Sequence, residues 1–168
     1  MKSNAFNKLF EIILLTLFGV IMYISQVLMA TLPNIEIVTL LIILVTRKFG
    51  FKALVSIYIF VGCEFLTYGI HIWVINYLYV WAVLCLLIWL LKEIDNAFLY
   101  AIIAAVFGLL FGTLCSIPYF IIGGFAFGVS NIISGLTFDL LHCAGNLISV
   151  LILYRPFTEV VERVVKTA

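Results

Sequence analysis

Charge is what this sequence has least of. Of 168 residues, 9 are Lys or Arg and 8 are Asp or Glu, 10% in all against 66% hydrophobic, and mean hydropathy is +1.32. A soluble domain carries about 25% charged residues, so composition alone points to an integral membrane protein, an all-α chain held in a lipid bilayer. A net charge of +1 without a concentrated basic face excludes a nucleic-acid partner. Reaction motifs are also missing. There is no G-x-x-x-x-G-K-S/T, H-E-x-x-H or G-x-S-x-G and no paired-carboxylate metal motif, so nucleotide hydrolysis, zinc proteolysis and serine acyl transfer have no support, and neither a cofactor nor a metal is expected. The four cysteines, Cys63, Cys85, Cys115 and Cys143, stand singly in apolar surroundings and read as small buried hydrophobes.

What remains is long apolar runs, at 9–32, 35–46, 53–69, 72–91, 97–117 and 128–154. No soluble linker separates them, so a single domain covering 1–168 is expected, with the first run a span and not a removed signal peptide. Every basic residue falls before the first run, between the second and third, between the fourth and fifth, or after the sixth. The other three connections, around 32–36, 69–71 and 118–127, have none. The positive-inside rule then gives a six-transmembrane-helix bundle with both termini cytoplasmic. The second run is too short to cross alone, and Leu32-Pro33-Asn34 breaks the chain before it, a pattern that points to binding sites in transporters. Gly108 and Gly112 in the fifth run form a G-x-x-x-G step that reads as close helix packing.

The polar residues that remain are few enough to weigh singly. In the stretch 131–156, Asn131, Asp139, His142, Asn146 and Ser149 fall near one helical face, and Asp139 and His142, one turn apart, are spaced to hydrogen-bond. Such a network either serves a site or only pins helices together. Glu36 and Glu64 are acidic with no basic residue near them in sequence; they are either solvated loop ends or groups that welcome a neutral or cationic ligand. Trp73, Asn76, Tyr77 and Trp81 share a face of the fourth run, which is either an interfacial belt or a stacking pocket.

These pieces together resemble the substrate-binding S components of energy-coupling factor (ECF) vitamin transporters. The likeness rests on Leu32-Pro33-Asn34-Ile35-Glu36, on the aromatic stretch from Trp73 to Trp81, and on GLTFDLLHCAGN from Gly135 to Asn146, followed by Tyr154-Arg155-Pro156. It implies a multi-pass subunit in a prokaryotic cell membrane that captures a vitamin and docks on an ECF transmembrane coupling subunit bearing two ATPase subunits. The matching pocket positions are Asn34, Glu36, Trp73, Tyr77, Trp81, Asp139 and His142. Many members have Ala-x-x-x-Ala in the first helix, where they contact the coupling subunit; here that helix offers Gly19-x-x-x-Tyr23.

The expectation is therefore a vitamin-binding subunit with Asn34, Glu36, Glu64, Trp73, Tyr77, Trp81, Asp139 and His142 around the substrate. A B6-type pyridine alcohol such as pyridoxine is the first choice, and thiamine or its pyrimidine and thiazole precursors come next. Two alternatives stand beside it. One is a small intramembrane enzyme using Asp139 and His142 as an acid/base pair; the other is a structural membrane subunit with no ligand.

Overall fold

The structure, a computed structural model, describes the backbone of residues 2–32 and 35–166 and the side chains from Asn7 onward. It is 89% helical, with no strand among the described residues. The helices are α1 (Lys2–Leu28), α2 (Val38–Phe49), α3 (Ala53–Tyr68), α4 (Ile72–Leu90), α5 (Ala97–Cys115) and α6 (Ile117–Lys166), with a 3-10 turn at Gly50–Lys52. Each apolar run thus becomes a helix.

Among the described residues, four segments are long and apolar enough to cross a membrane: Asn7–Leu28, Ile72–Leu90, Ala97–Cys115 and Ile117–Lys166. With 12 residues in α2 and 16 in α3, these two extend about 18 and 24 Å, short of a hydrocarbon core of about 30 Å. The short α2 is also the most enclosed. Every residue from Val38 to Thr46 is buried, and the helix packs against α1, α3, α4, α5 and α6. Its sequence VTLLIILV has no polar face to offer solvent, and a helix apolar all round is buried against neighbours or against lipid; here neighbours enclose it.

Two close approaches set the packing around this axis. A Cβ on Gly108 would lie 2.8 Å from the His142 carbonyl carbon, and one on Gly112 would lie 2.5 Å from Asp139 Oδ2, so the G-x-x-x-G step of α5 seats α6, as its spacing suggests. A Cβ on Gly19 would lie 2.6 Å from the Ser56 carbonyl oxygen, and Ser56 Oγ donates to the Leu15 carbonyl at 2.7 Å. Gly19 therefore faces α3 inside this chain and is not free for a partner.

The 118–127 segment differs from its expected role as a connection. Ser116 alone separates α5 from α6, Pro118 sits in the first turn of α6 where no intrahelical N–H is lost, and the break comes later, at Gly124 (φ 77°, ψ −174°). Beyond the expected end of the sixth run, α6 continues through Pro156 to Lys166, with the i,i+4 pairs Arg163–Glu159 and Lys166–Glu162 on its last turns.

Basic side chains gather at one end of α2. The Arg47 guanidinium lies 5.0 Å from the Tyr100 ring and 5.6 Å from the Tyr154 ring, donates to the Tyr154 hydroxyl, and pairs with Asp95 at 3.1 Å. Arg155 reaches the same carboxylate at 3.2 Å, and Lys52 pairs with Glu11 at 2.7 Å. The other end of α2 begins at a cavity.

Candidate ligand-binding site

The cavity, about 370 Å³, lies where the ends of α1 and α3 meet the starts of α2 and α4, with α5 and α6 closing its depth. Its volume falls within the range of small-molecule sites, about 300–1,000 Å³. The i, i+4, i+8 spacing of Trp73, Tyr77 and Trp81 puts three rings on one stripe of α4. Successive centroids are 5.3 Å apart and the planes nearly perpendicular, at 74° and 73°. The ring series extends outward to Tyr68, 5.4 Å from Trp73, and inward from Trp81 to Phe111 at 5.3 Å and from Phe111 to His142 at 4.8 Å. Exposure falls along it, from Tyr68 at 42% to Trp81 at 1%. The edge-to-face geometry holds the wall in shape without a ligand.

Glu36 organises the rim. Its Oε2 accepts the Thr39 N–H at 2.8 Å and its Oε1 accepts the Thr39 hydroxyl, placing a carboxylate at the N-terminus of α2, where the helix dipole favours it. Oε1 also lies 3.1 Å from His142 Nε2, so the segment after α1 is tied to α6 across the cavity. When Nε2 donates this bond from a neutral ring, Nδ1 is left as an acceptor, and it has no partner among the described residues.

Glu64 is fully buried in the same wall, and neither carboxylate oxygen has a hydrogen-bond partner among the described residues. Trp81 Nε1 is likewise unpartnered. An unpaired buried carboxyl costs several kcal/mol unless something compensates it. The lining contains no Lys or Arg. The cavity therefore presents the Glu64 oxygens and the Trp81 N–H, an acceptor pair and a donor without partners among the described residues, framed by rings, a combination suited to a ligand that brings donors or positive charge to Glu64 and an acceptor to Trp81.

Six of the eight expected site residues, Glu36, Glu64, Trp73, Tyr77, Trp81 and His142, line this one cavity. Asn34 lies outside the described residues. Asp139 is elsewhere: its Oδ1 accepts the Gly112 N–H at 2.9 Å, and it lines an adjoining cavity of about 280 Å³. The spacing of Asp139 and His142 suggests a mutual hydrogen bond, but Asp139 bonds Gly112 of α5 and His142 bonds Glu36 in the segment before α2. Asn76 does not join the ring stripe; its Nδ2 donates to the Cys115 carbonyl at 3.0 Å and its Oδ1 accepts from the Tyr79 hydroxyl at 3.0 Å, pinning α4 to α5. Asn146 serves a similar purpose deeper down, donating to Thr39 Oγ1 at 3.3 Å and the Ala104 carbonyl at 3.2 Å.

The structure adds Gln26, Phe111 and Phe138 to the wall. Gln26 Nε2 donates to the Tyr77 hydroxyl at 3.4 Å. As a polar residue near the end of an apolar run, Gln26 carried a readable signal, whereas nothing in the sequence distinguishes Phe111 and Phe138 from the other phenylalanines. No protein-family model matches the chain, and neither a curated protein nor a solved structure matches it.

Proposed function

We propose that this chain is the substrate-binding S component of an ECF-type importer, capturing a small aromatic vitamin in the Glu36–Glu64 cavity. The observation that carries this reading is Glu64, a fully buried carboxyl without a hydrogen-bond partner among the described residues, in a wall of aromatic rings. Folding alone gains nothing from such a group, and a ligand donor or cation compensates it. A pyridine alcohol of the pyridoxine type and a thiamine-type cation both offer a stackable ring with donors or positive charge, while the two carboxylates and the lack of a basic lining residue disfavour anionic vitamins.

In the proposed topology all six helices lie in the membrane with both termini cytoplasmic, a reading that the one-sided distribution of Lys and Arg supports. The cavity then opens outward and the Arg47–Asp95–Arg155 cluster faces the cytoplasm. Docking on a transmembrane coupling subunit with two ATPase subunits would supply the energy for release inward. A ligand-converting role for Asp139 and His142 finds no support in their geometry, since Asp139 bonds Gly112 of α5 while His142 bonds Glu36 before α2.

The test is equilibrium binding to the purified full chain, by calorimetry or tryptophan fluorescence, with pyridoxine, thiamine and the pyrimidine and thiazole precursors. Trp73 and Trp81 form the wall, so binding is expected to change tryptophan emission. A protein that responds to none of these compounds overturns the proposal.

A further inference from the structure

The cavity that holds Asp139 is not separate from the first. Trp73, Tyr77, Phe111 and Phe138 line both, so the two spaces share a partition of four rings. Phe138 is the loosest part of it, 51% exposed and in contact with no other ring among the described residues.

Each side of the partition has one buried acidic group with unmet acceptor capacity. In the first cavity it is Glu64. In the second it is Asp139, only 2% exposed, whose Oδ1 is held by the Gly112 N–H while Oδ2 has no partner among the described residues. Gly112 permits this placement, because a Cβ there would lie 2.5 Å from Oδ2. Gly135 also lines the second cavity, and a Cβ on it would meet nothing within 4 Å. Its lack of a side chain is not demanded by packing and leaves the space open.

We infer that the two cavities are subsites of one binding tract, whose ligand is a two-part molecule: a ring compensating Glu64, and a second ring or arm that passes the Phe138 edge and brings donors or positive charge to Asp139. A one-ring ligand reaches only one of the two carboxyls. The inference rests on the substrate-binding reading above and narrows its ligand to the two-part class.

The test is calorimetry on the purified full chain with thiamine as the two-part probe, and with its pyrimidine half, its thiazole half and pyridoxine as one-ring probes. Thiamine is expected to bind at least about ten-fold tighter than any one-ring probe, the value of one further charge-assisted hydrogen bond. Gly135→Leu, whose Cβ would meet nothing within 4 Å and whose side chain would occupy the second cavity, and Asp139→Asn, which removes the charge but keeps an acceptor for Gly112, should each erase that margin. Neither should move the affinity of a one-ring probe by more than about two-fold. One-ring probes binding as tightly as thiamine, or a margin that survives Gly135→Leu, overturns the two-subsite inference alone. Failure of every probe to bind overturns the substrate-binding reading and this inference with it.

Discussion

His142 Nε2 lies 3.1 Å from Glu36 Oε1, and the same carboxylate accepts the Thr39 N–H, so one acidic side chain joins α6 to the first turn of the central helix α2. Glu64, in the same cavity, has no such partners. Two glutamates about one cavity are therefore expected to respond to substitution in opposite ways.

Glu36→Ala removes a helix-end acceptor and leaves His142 without its partner. It should lower stability by about 1–3 kcal/mol, read as a fall in the thermal unfolding temperature of the purified protein. Glu36→Gln keeps an acceptor for the Thr39 N–H and should recover part of the loss. Equal stability of all three proteins would show that the link is not structural.

The α5–α6 seam should be intolerant of even one methyl group. Gly108→Ala puts a Cβ 2.8 Å from the His142 carbonyl carbon, against backbone that cannot swing away as a side chain does. A loss of about 1–3 kcal/mol is expected from overpacking, whereas Gly135→Ala, which meets nothing, should be neutral or slightly stabilising. Thermal unfolding of the pair measures the contrast directly.

The cluster at the other end of α2 makes a pH prediction. Burial raises the Asp95 carboxyl, but the Arg47 and Arg155 charges and the bonds from Tyr154 and Arg155 outweigh it and hold the group below its usual 3.8. A carboxyl depressed in the folded state contributes stability that is present above its unfolded value and is lost as pH falls through the folded one. The unfolding temperature should therefore drop as pH goes below about 4, and Asp95→Asn should remove this component of the drop. An unchanged acid profile in Asp95→Asn would assign the effect to other carboxyls.

Sidedness can be read by chemistry. In a background without the native cysteines, Ile70→Cys lies in the α3–α4 connection and Glu93→Cys in the α4–α5 connection. A membrane-impermeant maleimide applied to intact cells should label position 70 and spare position 93 until the membrane is opened. The reverse pattern would invert the topology.

The sequence carries the helices more legibly than the site. Long apolar runs, the G-x-x-x-G step and the four-residue spacing of Trp73, Tyr77 and Trp81 are local patterns, and each has its expected structural counterpart. Partners depend on which helix meets which face. Asn76 and Tyr77 are about 100° apart on α4, enough to send one against α5 and the other into the cavity. Asp139 and His142 diverge by about 60° on α6, which sends one toward Gly112 of α5 and the other toward Glu36. The break at Gly124 also depends on more than composition, since Gly123 beside it keeps helical geometry. That Glu64 is wholly buried without a hydrogen-bond partner among the described residues is a property of the assembled bundle and has no signature in its neighbours along the chain.

The most direct measurement compares wild type and Glu64→Gln, titrated with thiamine and with pyridoxine and unfolded thermally in the same buffer. Wild type should bind at least one of the two. Glu64→Gln should weaken that binding by about ten-fold to a hundred-fold, the value of a charge-assisted hydrogen bond, while its unfolding temperature without ligand stays the same or rises. Undiminished affinity in Glu64→Gln, or no binding by the wild-type protein, would contradict a ligand site built around Glu64.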